Sequence, residues 1–489
     1  MAITPVQTEQ LKRLASDAMR AHGLLPDFSA AAQAEASAAS AAMSGPGAGL
    51  QDLRNFPWSS IDNDDSLDLD QIEVAEASAG GGYQLRVGIA DVDSVVRTGS
   101  AIDAHARTNT TSVYTIAEIF AMLPERLSTN LTSLAQDQDR LCVVIEMTVD
   151  ADGKLGESTI YRALVRNRAK LAYGSVAAWL QGAETAPPRI GAVLGLEAQL
   201  RLQDNIAQAL KRQRQTRGAL GLDTAENRAV YEDGALIDLL PDPKNRAQEL
   251  IEEFMIAANG VTARFLQQHG RTSLRRILRA PKRWDRIVQL AKEAGENLPE
   301  APDAIALNAF LMKRQKIDPT RFADLSLSVI KCLGPGEYVA QRPGQTPQGH
   351  FALAARDYTH STAPNRRFPD LLTQRLLKAV LQNQPAPYSD TELPALASHC
   401  TEQEANAKKV ERQIEKSAAA ALLGSRIGAR FQGIVTGASE KGTWVRIEAP
   451  AAEGRVVKGY QGLDVGDHVQ VQLLHVDVAR GFIDFAAEK

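Results

Sequence analysis

The chain has 489 residues, 44% of them hydrophobic, and carries 55 basic and 59 acidic side chains for a formal net charge of −4. That length predicts two to four domains with at least one large core. The slightly acidic balance excludes a coat-like protein that meets nucleic acid over its whole surface, so a polyanion would have to follow local basic patches.

The first segments read as helices. "TPVQTEQLKRLASDAMRAHG" sets Leu11, Leu14, Ala15 and Met19 at helical spacing with Gly23 at the end, and the Ala-rich "FSAAAQAEASAASAAM" follows. Residues 1–50 are therefore expected to be a small helical domain. A helix-turn-helix and a plain packing role are both open to it, with "SGPGAG" (44–49) as its linker. Residues 51–425 mix strands with helices. "YQLRVGIADV" (83–92) and "RLCVVIEMTV" (140–149) are strand-like, and 248–270 and 405–424 are helical. Residues 426–489 hold five short alternating segments separated by glycine turns, the pattern of a small barrel. The three cysteines (Cys142, Cys332, Cys400) are far apart and show no metal spacing, so they read as reduced thiols. No signal-peptide core opens the chain, and no stretch approaches the ~20 apolar residues of a membrane span. A cytoplasmic, membrane-free monomer is expected; its protein partners are unknown.

"IDNDDSLDLDQIEVAE" (61–76) concentrates Asp62, Asp64, Asp65, Asp68, Asp70 and Glu73 within a dozen positions. Like charges ~4 Å apart repel by ~1 kcal/mol in water and ~4 kcal/mol at an effective dielectric near 20. Such a cluster must face water, share protons or hold a cation. A solvated loop is one reading, although Ile61, Leu67, Leu69, Ile72 and Val74 interleave with the acids. A calcium loop is a second. Its ligand spacing fits, but the turn position that needs glycine carries Leu67, and no helix follows. The third is a catalytic Mg²⁺ site, which would also need cationic phosphate contacts elsewhere in the chain. "YTHSTAPNRRFPDLLTQRLLKAVL" (358–381) offers them, because Arg366 and Arg367 stand just before a helix opened by Pro369. A simple Arg366–Asp370 pair at four-residue spacing is the alternative. Basic residues also gather at 161–173, 210–218 and 271–286, as local surfaces for a backbone or as solvated helix faces.

In this order, "IDNDDSLDLDQIEVAE", "RVGIADV", "MLPERLSTNL", "LIEEFMIAANG" and "YTHSTAPNRRFPDLLTQRL" resemble the ribonuclease II/ribonuclease R (RNB) family over about residues 51–424. "FQGIVTG", "GTWVRI" and "VGDHVQVQLLHVD" are similar to the S-one-type OB barrel that commonly ends these enzymes. The resemblance implies an α/β (α+β) RNB catalytic domain between the helical N-terminal domain and an all-β OB-fold RNA-binding domain. It implies Mg²⁺-dependent (Mn²⁺ as substitute), processive 3′-to-5′ hydrolysis of single-stranded RNA to nucleoside 5′-monophosphates. Asp62, Asp68 and Asp70 fill three of the family's four aspartate positions, and Gln71 stands at the fourth, so Asp64 and Asp65 are candidates to make up the missing charge. Arg366 matches the arginine at the scissile phosphate, beside Arg367. Glu411 matches a glutamate near the terminal nucleotides, and Tyr114 a tyrosine that packs on the last bases. Tyr173 and Glu253 match residues that distinguish ribose from deoxyribose. An aromatic clamp position falls on Leu222, and the family's two N-terminal cold-shock barrels have no counterpart in the first fifty residues. A non-catalytic RNA-binding protein with a decayed site is the rival expectation.

Overall fold

The computed structural model describes residues 3, 5–40, 49–78, 81–223, 226–232, 235–242 and 244–488; the linker expected at 44–49 lies, save Gly49, outside them. Two helices come first, α1 (Pro5–Ala21) and α2 (Ala30–Ala38). From Leu50 the chain lays down β1 (Leu50–Asp52), β2 (Ser59–Asp62), β3 (Gln71–Ala77) and β4 (Tyr83–Ala90). It crosses α3 (Ala101–Asn109) and a small hairpin, β5 (Val113–Tyr114) and β6 (Ile119–Phe120), then returns through β7 (Asp139–Val149), β8 (Leu155–Arg166) and β9 (Ala169–Ala172). The main sheet has the order β1-β8-β7-β4-β3-β2-β9. Its inner strands pair antiparallel, while β1 joins β8 and β9 joins β2 in parallel.

Helices α4 (Tyr173–Leu180), α5 (Pro188–Ala192) and α6 (Leu196–Thr216), a hairpin of β10 (Glu226–Glu232) and β11 (Ala235–Asp242), and α7 (Arg246–Gln268) follow. Helix α7 begins two residues ahead of its apolar repeat because Asn245 and Gln248 form a capping box there. It runs through the middle of the domain. Phe254 and Val261 of α7 join Trp58, Ile72, Val87 and Ile145 of the sheet region in the main core. A second layer holds β12 (Ser273–Ile277), α8 (Trp284–Glu293), α9 (Ala304–Ile317), α10 (Pro319–Leu333) and β13 (Glu337–Gln341). Helices α11 (Phe368–Leu381) and α12 (Glu392–Leu423) then lead to the barrel of β14 (Arg430–Ser439), β15 (Gly442–Glu448), β16 (Ala451–Lys458), β17 (His468–Asp477) and β18 (Phe482–Glu488), closed in the order β14-β15-β16-β18-β17. The mixed α/β body and the five-strand barrel agree with the expected fold class. Among the described residues no helix is long and apolar enough to cross a membrane.

The first two helices pack on the body rather than on each other. Ala15 and Met19 of α1 share a small cluster with Val113, Phe120, Val410 and Ile414, and Leu11 joins the barrel-side core with Leu239 and Leu423. Helix α2 places the Glu35 carboxylate on the N–H groups of Ala101 and Ile102, where it caps α3, and those bonds hold the Glu35 pKa below its ordinary value. Much of the basic sequence is likewise internal. Arg276 pairs with Glu404 of α12 (2.5 Å), Arg283 with Asp464 (3.1 Å), and buried Arg286 with Asp467 (3.3 Å), which ties the second layer to the barrel.

Glu453 of β16 completes that junction. It lies 3.3 Å from both Lys331 of α10 and Lys416 of α12 and accepts from Thr436 Oγ1 at 2.6 Å. Burial opposes its ionisation, but the two lysines and the hydroxyl outweigh it and hold the pKa at about 2. A carboxyl lowered in the folded state contributes stability above its ordinary pKa, and that contribution disappears as pH falls through about 2. Glu453→Gln is therefore expected to lower stability by on the order of 2–3 kcal/mol at neutral pH. In paired thermal melts, the gap to wild type should be constant from pH 6 to 8 and close below pH ~4.5.

Candidate active site

The acidic segment is bent into place by its own backbone bonds. Asp62 ends β2, and its Oδ1 accepts from the Asn63 N–H (2.7 Å) and the Ser66 hydroxyl (2.9 Å), which turns the chain. Leu69 donates to Ser133 Oγ (3.1 Å), and the Leu69 carbonyl accepts from the Leu134 N–H (2.9 Å). Asp70 is thereby delivered, 2% exposed, to the start of β3. The turn before α11 meets it there. The Asn365 N–H donates to Asp70 Oδ1 at 2.9 Å, and Arg366 Nε stands 3.6 Å from Asp70 Oδ2. Among the described residues Asp70 Oδ2 has no hydrogen-bond partner.

Helix α11 holds this position through a buried ionic seam. Lys378 Nζ lies 2.8 Å from Asp91 and 2.7 Å from Asp93; Arg375 lies 3.0 Å from Asp93 and 2.8 Å from Asp103. Arg162 of β8 adds a second cation to Asp91 at 2.9 Å. At the other end, Arg367 turns inward to Asp370 (2.7 Å). The arginine–aspartate pair that was the alternative at this helix start therefore forms, but with Arg367, and Arg366 is left to face the acids.

Asp62, Asp68, Asp70, Gln71, Tyr114, Tyr173 and Arg366 line one cavity of about 490 Å³, with Lys244, Gln248, Met255 and Thr362 on its remaining walls. Burial raises the Asp70 pKa to about 7 against the opposing pull of Arg366 and the Asn365 N–H. Asp68 is raised by burial, with the charge of Asp62 adding to it. Tyr114 is pushed to about 12 by burial, and Tyr173 is raised by burial and then by Asp62 and Glu73. Glu73 is fully buried, neither carboxyl oxygen has a partner, and burial followed by Asp62 raises it well above the ordinary range. The donor set at the cavity is all oxygen and includes an unpartnered buried carboxylate oxygen, which suits a hard divalent cation. Among the described residues no three acidic, histidine or cysteine groups converge as a ready-made cage. An ion here would draw further oxygens from Gln71, water or a substrate phosphate.

Other expected site residues lie outside the cavity. Glu411 accepts from the Tyr114 N–H at 3.0 Å and so supports the tyrosine. Glu253 faces the opposite side of α7, in a two-point pair with Arg214 (2.8 and 2.5 Å). Asp64 and Asp65 are exposed and are not part of the cavity wall, and Leu222 packs into the second layer. Asn365 was not anticipated, although it lies in the quoted "STAPNRRF" stretch: its contribution is a backbone N–H, which no side-chain pattern announces. Lys244 and Gln248 were not anticipated either; Gln248 also closes the capping box with Asn245 at the start of α7.

Residues 50–383 match the RNB domain, and residues 429–488 match the RNase II-type exonuclease C-terminal S1 domain. The chain belongs to the RNB family. It is 30% identical over 468 residues to ribonuclease R 1 of Lactococcus lactis, with 89% of this chain and 56% of that protein covered. The chain thus spans about half the length of the curated relatives it matches. Its fold is shared with Mycoplasma genitalium RNase R in complex with ribose-methylated single-stranded RNA (TM-score 0.85, 22% identity, 98% of this chain and 78% of that one). Yeast Ssd1, a pseudonuclease, shares it less closely (TM-score 0.66, 17% identity, 83% of this chain and 50% of that one).

The raised pKa of Asp70 has a stability consequence. A carboxyl whose folded pKa lies above its ordinary 3.8 destabilises the fold progressively as pH rises from about 4 to about 7. In metal-free protein, Asp70→Asn should therefore melt higher than wild type at pH 8, by on the order of 2–4 kcal/mol. The two should coincide near pH 4. Added Mg²⁺ should raise the wild-type melting temperature at pH 8 more than that of the variant.

Proposed function

We propose that this protein is a 3′-to-5′ exoribonuclease that processively hydrolyses single-stranded RNA to nucleoside 5′-monophosphates. The observation that carries the reading is the shared cavity, where Asp62, Asp68 and Asp70 face Arg366 between two tyrosines. Asp62, Asp68 and Asp70, with the amide oxygen of Gln71, would hold Mg²⁺. When bound, that ion supplies charge neutralisation at the scissile phosphate and an acidified water. Arg366 is exposed toward the cavity and would bind the same phosphate through its guanidinium fork. Tyr114 offers a face for the last base, where stacking is worth ~1–3 kcal/mol. Tyr173, on the cavity wall, would meet the ribose and help distinguish RNA from DNA through its 2′-hydroxyl. The burial of Asp70 strengthens each of these interactions, because fixed charges act more strongly away from water.

The rival reading, a non-catalytic RNA binder, draws on Gln71 and on the sharing of this fold with a pseudonuclease. Two observations support the catalytic reading instead. The acid at the centre keeps an unpartnered oxygen, and Gln71 lines the cavity rather than the core alone. Asp70→Asn and Arg366→Ala should each reduce RNA hydrolysis by at least a hundredfold, with RNA affinity held within a few-fold. Gln71→Asp should lower the Mg²⁺ needed for half-maximal activity. A radiolabelled-RNA gel assay with a Mg²⁺ titration, run beside filter binding, checks all three. Wild-type protein that binds RNA but leaves it intact with Mg²⁺ or Mn²⁺ would establish the rival.

A further inference from the structure

A second enclosed space lies across α7 from the catalytic cavity and shares none of its lining residues. It measures about 450 Å³ and is bounded by α7, the end of α6, the β7–β8 turn and the segment that ends at Asp357. Its charge is uneven. Arg214 is satisfied by Glu253. Lys154, Arg217, Arg264 and Arg356 also line the space, and among the described residues none of these four has a carboxylate partner. Among the described residues Asp357 is the one unpaired acid on the wall, and its Oδ1 is buried with no hydrogen-bond partner.

The cations on and behind this wall outnumber its unpaired acid. Arg275 of β12 is 3% exposed, and its Nε and Nη1 atoms have no hydrogen-bond partner. Burial lowers its pKa to about 10, with the charge of Arg264 adding to the effect and Asp357 opposing it. Arg264 is lowered as well, first by burial and then by Arg217, against Asp357. Asp357 is the counter-charge that Arg264 and Arg275 share, so the cations that line this cavity leave it with a net positive charge. Gly260 on α7 keeps the floor low, since a Cβ there would lie 3.3 Å from Arg264 Nη1. Leu155, Leu210, Ile256 and Leu353 supply an apolar wall beside the cations.

We propose that this cavity is a binding site for a phosphate monoester of nucleotide size, separate from the RNA-cleaving site. The guanidinium fork matches phosphate oxygens two at a time. The volume lies in the usual range for small-ligand sites, and the apolar wall would take a ring. Bare phosphate shares the charge chemistry but leaves that wall uncovered.

Calorimetric titration of the full chain in EDTA tests this with 5′-AMP, inorganic phosphate and adenosine. It should be run on wild type and on Asp70→Asn saturated with single-stranded RNA. The expected result is one AMP site, phosphate at least tenfold weaker, no adenosine binding, and no displacement by RNA. Arg217→Ala/Arg264→Ala should weaken AMP at least tenfold. The exposed rim pair Lys154→Ala/Arg356→Ala should weaken it several-fold, and it decides the matter if the first variant fails to fold. Equal affinity for AMP and phosphate would assign the site to the phosphate group alone. The proposal is overturned if neither ligand binds, if RNA displaces AMP and so makes the cavity part of the RNA path, or if the variants bind as wild type does.

Discussion

The placement of Arg366 depends on a carboxylate–ammonium–guanidinium seam buried between α11 and the sheet. Asp91 and Asp93 sit where β4 ends, and Lys378 and Arg375 reach them from one face of α11. Removing one member of a buried pair costs about 3–5 kcal/mol, because the other is left charged and unpaired. The seam therefore fixes the register of the helix, not merely its proximity. With α11 fixed, the turn before it presents the Asn365 N–H to Asp70 and leaves Arg366 on the cavity side. Arg367, one residue on, is consumed by Asp370 and anchors the same turn from within.

This arrangement also accounts for the electrostatics at the site. Asp70 is held by one backbone N–H and a guanidinium at 3.6 Å, too little to repay its burial. Its raised pKa and its unpartnered oxygen are two expressions of one deficit, which a divalent cation would fill. Gln71 reduces the charge available for that purpose. Neither Asp64 nor Asp65 lines the cavity, although the charge of Asp65 still reaches Asp68. Glu73, two residues along β3 and on the same face as Gln71, is the nearest unused carboxyl in the sequence, and it is buried without a partner.

What could be read from the sequence follows from how local each signal is. The apolar repeat of α7 and the alternating strands of the barrel are periodic over many residues, so both elements fell where expected. The acid cluster and Arg366 were legible because their chemistry is concentrated in short stretches. The roles of Arg366 and Arg367 were separable only through the family resemblance, since the choice depends on a register set by Lys378 and Arg375, which lie up to a dozen residues away. Glu253 was placed by resemblance with the ribose contacts, but its helical phase turns it to Arg214. The Ala-rich α2 gave no hint of its partner, because small side chains carry little pattern to match. The basic runs divide: Arg276 and Arg286 are buried and knit layers together, and the 210–218 run opens on a cavity behind α7.

The central claim is that the cavity over Asp70 works on the 3′ end of an RNA strand. The most direct test is to incubate the purified protein and Mg²⁺ with one single-stranded RNA, labelled at its 5′ end in one sample and at its 3′ end in another. The account predicts that the 3′ label is released at once as a nucleoside 5′-monophosphate, while the 5′-labelled strand shortens to a small end product. Immediate release of the 5′ label, internal fragments from both samples, or two intact strands would contradict it.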